Sequence, residues 1–190
     1  MIRKALIAAS VLAAGSALAE PATYTIDSAH TYPAFEADHM GGMSLWRGKF
    51  NSTAGTVKLD RAAKTGEMEI TVQMGSVDFG HDKMNEHAMS ADMFDVAKFP
   101  TATYKGKFSK WNGDVPTEVT GELTMHGVTK PVKLSINSFM CKANPMTKKE
   151  SCGADAMAQI NRADFGVNFG ANFGFKMDVK LLISIEAGRS

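Results

Sequence analysis

The sequence predicts an all-β fold: a closed antiparallel barrel of about eight strands, interrupted once by a short helical insert. Three observations carry this. Apolar residues recur with a period of two, not 3.6, along most of the chain. Turn-forming residues punctuate the alternating runs at 60–66, 112–116, 127–131 and 142–150. One segment, 81–95, carries no alternation and reads as one or two short helices, with Ser90 a candidate N-cap.

In chain order, residues 1–19 come first and read as a signal peptide. Arg3 and Lys4 give a positive start, Ala5 to Leu12 an apolar run, and Ala17-Leu18-Ala19 the small residues of a cleavage site. The apolar run is about half of the ~20 residues that a spanning helix needs, which argues against an anchor. The mature chain, 20–190, is then one domain. Export removes two basic residues and no acidic ones, so the formal charge moves from +1 to −1. With no basic block, nothing favours nucleic acid as a partner.

The strands follow. Pro33, Phe35, Ala37 and His39 share a face, then Trp46, Gly48 and Phe50, then Gly55, Val57 and Leu59. Met68, Ile70, Val72 and Met74 alternate with polar neighbours. After the insert, Pro100 opens a return to strand, in which Tyr104, Gly106 and Phe108 share a face. Val119, Gly121, Leu123 and Met125 do the same, then Val132, Leu134 and Ile136. Ala154, Ala156, Ala158 and Ile160 form a further run, and Phe175 to Ile185 the last. Each run has one wet face and one dry face. Closure into a barrel removes the edges such strands would expose, with a two-sheet sandwich as the alternative.

An eight-stranded barrel is just wide enough inside for side chains or for one small ligand. The inward positions include Gly48, Gly106, Gly121, Ala154 and Ala156, which can leave room or serve strand bends. Such a lumen suits a long hydrocarbon chain. Ten buried carbons contribute roughly 8 kcal/mol before association costs. The lining expected on this register is Phe35, Trp46, Phe50, Ile70 and Val72 from the first half. Tyr104, Phe108, Leu123, Leu134 and Ile183 follow from the second. Met89, Met93 and Phe94 of the insert would close one end, and Arg162 would sit near a headgroup. A slip of one residue in any strand would turn its face outward.

Several segments resemble YceI-like proteins. These are Tyr24–His30, His81–Asp82 with Met93–Pro100, Gly121–Val132, and Asn161-Arg162-Ala163-Asp164-Phe165-Gly166. They occur in the family's order across nearly all of the mature chain. The resemblance implies a lipocalin-like eight-stranded barrel in the periplasm that binds a polyisoprenoid lipid, an isoprenoid quinone or polyprenyl compound, and it makes a homodimer common. The insert departs from the family in reading His81-Asp82 where Arg-Asp is frequent.

Other groups have plainer readings. Cys141 and Cys152 are the only cysteines, and in an exported chain they favour a disulfide over free thiols or a soft-metal pair. His81, Asp82, Glu86 and His87 share the insert but converge poorly for a metal. His126 sits at a tight turn. Arg162 reads as a buried ion pair with Asp164 or another carboxylate before it reads as a headgroup ligand. Phe165-Gly166, Phe169-Gly170 and Phe173-Gly174 read as a loop capping the core, or as an apolar lip at the barrel mouth that touches a ligand or makes transient contact with a membrane. No nucleophile elbow, paired-histidine helix or phosphate loop is present. The sequence therefore favours a lipid carrier without catalytic residues, metal or cofactor. His39, His81 and His126 are the groups that a quinone-linked redox role would need. A partner-binding protein with a filled barrel is the third reading.

Overall fold

The computed structural model describes residues 21–190; the expected signal peptide lies outside them. Eleven strand segments form one closed antiparallel barrel with eight walls, because three walls are each broken once. The first is β1 (Ala22–Ile26) with β2 (Tyr32–His39), and the second is β3 (Ser44–Phe50) with β4 (Thr53–Asp60). The third is β5 (Thr65–Gln73) with the two-residue β6 (Val77–Asp78). The long hairpin strands β7 (Thr101–Asn112), β8 (Val115–Met125), β9 (Val128–Ala143), β10 (Glu150–Asn161) and β11 (Asp178–Arg189) complete it. Closure is made by β11, which pairs with β2 at Leu181↔Phe35 and with β1 at Ala187↔Ile26.

Side chains bridge the breaks. Thr31 is fully buried; its hydroxyl donates to the Glu186 carbonyl at 3.2 Å and accepts from the Glu186 N–H at 3.1 Å. It thus stands in for backbone where β1 gives way to β2. Ser76 joins the other two breaks: its Oγ accepts from the Ser52 N–H and donates to the Gln73 carbonyl. The wall bends while its buried polar groups stay satisfied.

The predicted faces point inward. Ile70, Val119, Leu134, Ala156 and Val179 are buried, with charged neighbours outside. The outer wall carries cross-strand ion pairs such as Lys105–Glu69 at 2.8 Å and Lys58–Glu67 at 3.1 Å. No helix among the described residues is long and apolar enough to cross a membrane.

Four expectations are corrected in detail. β1 was not among the predicted runs, although Tyr24 and Ile26 already alternate in it. The insert is a single helix, α1 (Asp82–Met89), and Ser90 ends it instead of starting a second. Its Oγ donates to the His87 carbonyl at 2.7 Å, which stops the helix, and 91–99 continues as turns. The turns are tighter than predicted, so Gly66, Pro116 and Pro131 already lie in strands, and Phe175 and Met177 precede β11. Lastly, the inward Gly48 and Gly106 receive rings, and Gly121 lies against the backbone of Lys105 and Gly106, so none of the three leaves a void. A Cβ on Gly48 would stand 2.6 Å from Cζ of Phe35, and one on Gly106 2.7 Å from Cε1 of Tyr104.

Candidate functional site

The barrel is hollow. A deep cavity of about 190 Å³ runs along its lower half, walled almost wholly by apolar atoms from all eight walls. Its floor is Tyr24, Leu59, Phe139 and Cys152. Cys141 and Cys152 are register partners on β9 and β10 and form a disulfide there. Below them the Tyr24 hydroxyl donates to Oε1 of Glu150, whose Oε2 accepts from Arg61 at 3.1 Å. Burial, and then the carboxylate of Glu150, pushes the Tyr24 phenol up to about 12.

A second space of about 240 Å³ lies at the upper end, under α1 and the 165–177 loop. The two meet at a waist of Phe35, Phe50, Met125, Ile160 and Leu181, which face both. Each space alone is smaller than the roughly 300–1,000 Å³ of ordinary small-molecule sites, and the two together fall within that range. The volume therefore suits one elongated molecule.

The upper space is chemically different. Its walls are aromatic: His39 stacks on Trp46 at 4.6 Å, Phe175 meets His39 edge-on at 5.2 Å, and His87 meets Phe169 at 4.6 Å. Arg162 enters it from the end of β10. Only 9% exposed, it donates from one terminal nitrogen to the Val167 carbonyl at 2.9 Å and from the other to the Phe169 carbonyl at 2.8 Å. No carboxylate among the described residues lies within ion-pair distance of it, so the expected pairing with Asp164 is not made. Asp164 is exposed because the 3₁₀ turn 162–165 points it to solvent. Burial lowers the pKa of Arg162, and the field of Asp38, another wall residue, partly offsets this. Asp38 is itself held below the usual carboxylate range by the N–H groups of Lys176 and Gly41, which both bond its Oδ2.

The family model for the YceI-like domain matches residues 24–187. The chain belongs to the YceI-like family. A UPF0312 protein of Pseudomonas paraeruginosa is 33% identical over 197 residues, covering 100% of both chains. Protein YceI of Salmonella arizonae is 34% identical over 183 residues, covering 95% of this chain and 93% of its own. Among solved structures, BcnA of Burkholderia cenocepacia matches with a TM-score of 0.66 at 23% identity, covering 85% of this chain and 99% of its own. A polyisoprenoid binding domain from Saccharophagus degradans matches with a TM-score of 0.63 at 15% identity, covering 88% and 98%. These confirm the barrel.

Within this YceI-like barrel the predicted residues divide by level. Ile70, Val72, Tyr104, Phe108, Leu123, Leu134 and Ile183 face the deep cavity. Phe35 and Phe50 stand at the waist, and Trp46, Met93, Phe94 and Arg162 face the upper space. Met89 faces neither: it is half-buried against the core at the end of α1. Tyr104 is inward, but its hydroxyl is committed to the Val132 carbonyl at 2.9 Å. The histidines disperse. His39 and His87 reach the upper space, and His81 is exposed ahead of α1. His126 bonds the Phe165 carbonyl through Nδ1 at 3.0 Å and packs on Phe99. Among the described residues no group of His, Cys, Asp and Glu could hold a metal ion. Sequence reasoning missed Asp38, Phe79, His87 and Phe175 as walls; Phe175 carried a signal through its place in an alternating run, and Phe169, also a wall, through the Phe-Gly repeat.

Proposed function

We propose that this protein is an exported, non-catalytic carrier that holds one isoprenoid quinone, its tail in the deep cavity and its ring in the upper space. One observation carries the reading: an apolar lumen that ends on a buried arginine with no carboxylate partner among the described residues. A tail of ten carbons contributes roughly 8 kcal/mol there before association costs. The ring would lie among His39, Trp46 and Phe175, and a quinone carbonyl would accept from Arg162.

The charge balance favours a neutral headgroup over a phosphorylated one. A polyprenyl diphosphate would bring several negative charges to one buried cation, with the Asp38 carboxylate on the same wall. A quinone brings none. The binding of polyisoprenoid by the similarly folded Saccharophagus domain supports the tail. A periplasmic address is supported by the signal pattern of residues 1–19 and by the Cys141–Cys152 bond, which suits an oxidising compartment. The cavity walls come from one chain, so the reading needs no homodimer.

The test is native mass spectrometry of protein purified without detergent from a host that exports it, followed by solvent extraction. One isoprenoid quinone per chain is the expected result. A polyprenyl phosphate would overturn the headgroup assignment. A protein that is empty and takes up no added isoprenoid would overturn the carrier.

A further inference from the structure

Two loops lie side by side at the upper end, and their surface is apolar. A Cβ on Gly41 would stand 3.0 Å from the Gly174 carbonyl, and one carboxylate oxygen of Asp38 accepts from Gly41 and Lys176 together. The loops are thus tied into one rim. The rim holds Met40, Met43, Leu45, Phe169 and Phe173 in solvent, with Met43 73% and Phe173 71% exposed. The three phenylalanines of the Phe-Gly repeat have separated: Phe165 is buried in the core, while Phe169 and Phe173 stay outside. Exposed apolar side chains gathered in one place mark a docking surface.

We infer that this rim is a membrane-docking surface, which seats the barrel mouth on the interfacial region of a phospholipid bilayer. Three features favour a bilayer. The rim continues into the cavity, since Phe169 belongs to both and Trp46 and Phe175 follow directly behind. A bilayer pressed against it becomes continuous with the apolar lumen, so a water-insoluble tail can pass without crossing water. Its charge fits as well: segments 40–46 and 165–177 hold no acidic residue, and Lys176 is their one full charge. An anionic leaflet attracts such a surface, and interfacial binding grows with buried apolar area. A second copy seated rim to rim would instead seal both mouths.

This goes beyond the carrier reading, and its test needs no cargo. The purified protein is cosedimented with vesicles of phosphatidylethanolamine and phosphatidylglycerol. Met43→Ser with Phe173→Ser strips the rim. Met140→Ser with Met146→Ser removes two exposed methionines, 64% and 90% exposed, from the opposite end of the barrel. All four side chains are exposed, so both double variants should melt like the parent. The parent and the far-end variant are expected to sediment alike, and the rim variant to need at least about tenfold more lipid, equal to ~1.4 kcal/mol. A parent that stays in solution at every lipid concentration overturns the inference, as does an equal loss in both variants. A parent dimer that becomes monomeric in the rim variant, with vesicle binding unchanged, would assign the rim to a second copy. Protein that yields bound lipid on extraction yet ignores vesicles would overturn this inference and leave the carrier reading intact.

Discussion

Phe35 lies across Gly48, its register partner on the neighbouring strand, so closely that an added methyl group would stand 2.6 Å from the ring. The glycine thus lets the ring lie against the wall at the waist that the two cavities share. Gly48→Ala should drive the Phe35 ring into the waist. The cost is expected at about 1–3 kcal/mol, the usual range for one methyl too many in a packed interior. Lipid recovered by extraction should fall while the β circular dichroism is kept. Adding Phe35→Ala should restore it. An unchanged load in folded Gly48→Ala protein would place the tail elsewhere.

Arg162 does two jobs in this reading: it ties the upper loop through the Val167 and Phe169 carbonyls, and it offers its remaining donors to a ligand. Arg162→Met removes both. Hydrogen bonds to a charged group are worth about 1.5–3 kcal/mol each, so a loss of that order in urea unfolding is expected. Binding of a short-tailed quinone should weaken roughly 10–100-fold, while binding of a tail-only hydrocarbon probe should hardly change. Equal loss for both probes would reduce Arg162 to a strut for the loop.

The sequence declared the barrel because each strand obeys a local rule. Glu67 to Gln73 alternates without exception, and a period of two is enough to say which side chains face in. The lumen walls followed from that rule. What stayed hidden depends on contacts far apart in the chain. The Gly48 space belongs to Phe35, 13 positions earlier and paired only through the sheet. Arg162 found carbonyls in its own loop because the 3₁₀ turn aimed Asp164 outward, a geometry that residue types do not announce. Asp38, His87 and Phe169 converge only once α1 and the 165–177 loop stack over the end of β2.

The Cys141–Cys152 bond closes the lower end. It encloses a loop of about 12 residues, which corresponds to roughly 3 kcal/mol in the chain-entropy model. At ~2–4 °C per kcal/mol for a domain of this size, reduction should lower the melting temperature by roughly 6–12 °C. Lipid binding in the reduced, still-folded protein should persist, because the waist and Arg162 lie toward the other end. Loss of lipid before the fold melts would make the floor, not the upper space, the controlling element.

Tyr24 gives the floor a dependence on alkaline pH. Burial raises its phenol first, and its bond to Glu150 raises it further, from 10.0 to about 12. The fold therefore favours the protonated phenol. Its contribution is complete below pH 10, where the unfolded chain is also protonated, and drains away as pH climbs through about 12. Deprotonation would set a phenolate against the Glu150 carboxylate, with Arg189 and Arg61 to offset it. Tyr24→Phe deletes the titrating group and keeps the ring. Its stability at pH 8 should lie below the parent's by about 0.5–1.5 kcal/mol, the value of one hydrogen bond. The gap should then close between pH 10 and pH 12, because only the parent loses this term. Urea midpoints at stepped pH measure it, with the lysines common to both proteins cancelling in the difference. Parallel curves across that window would mean that the Tyr24–Glu150 contact carries no net stability, and that the ring alone holds the floor.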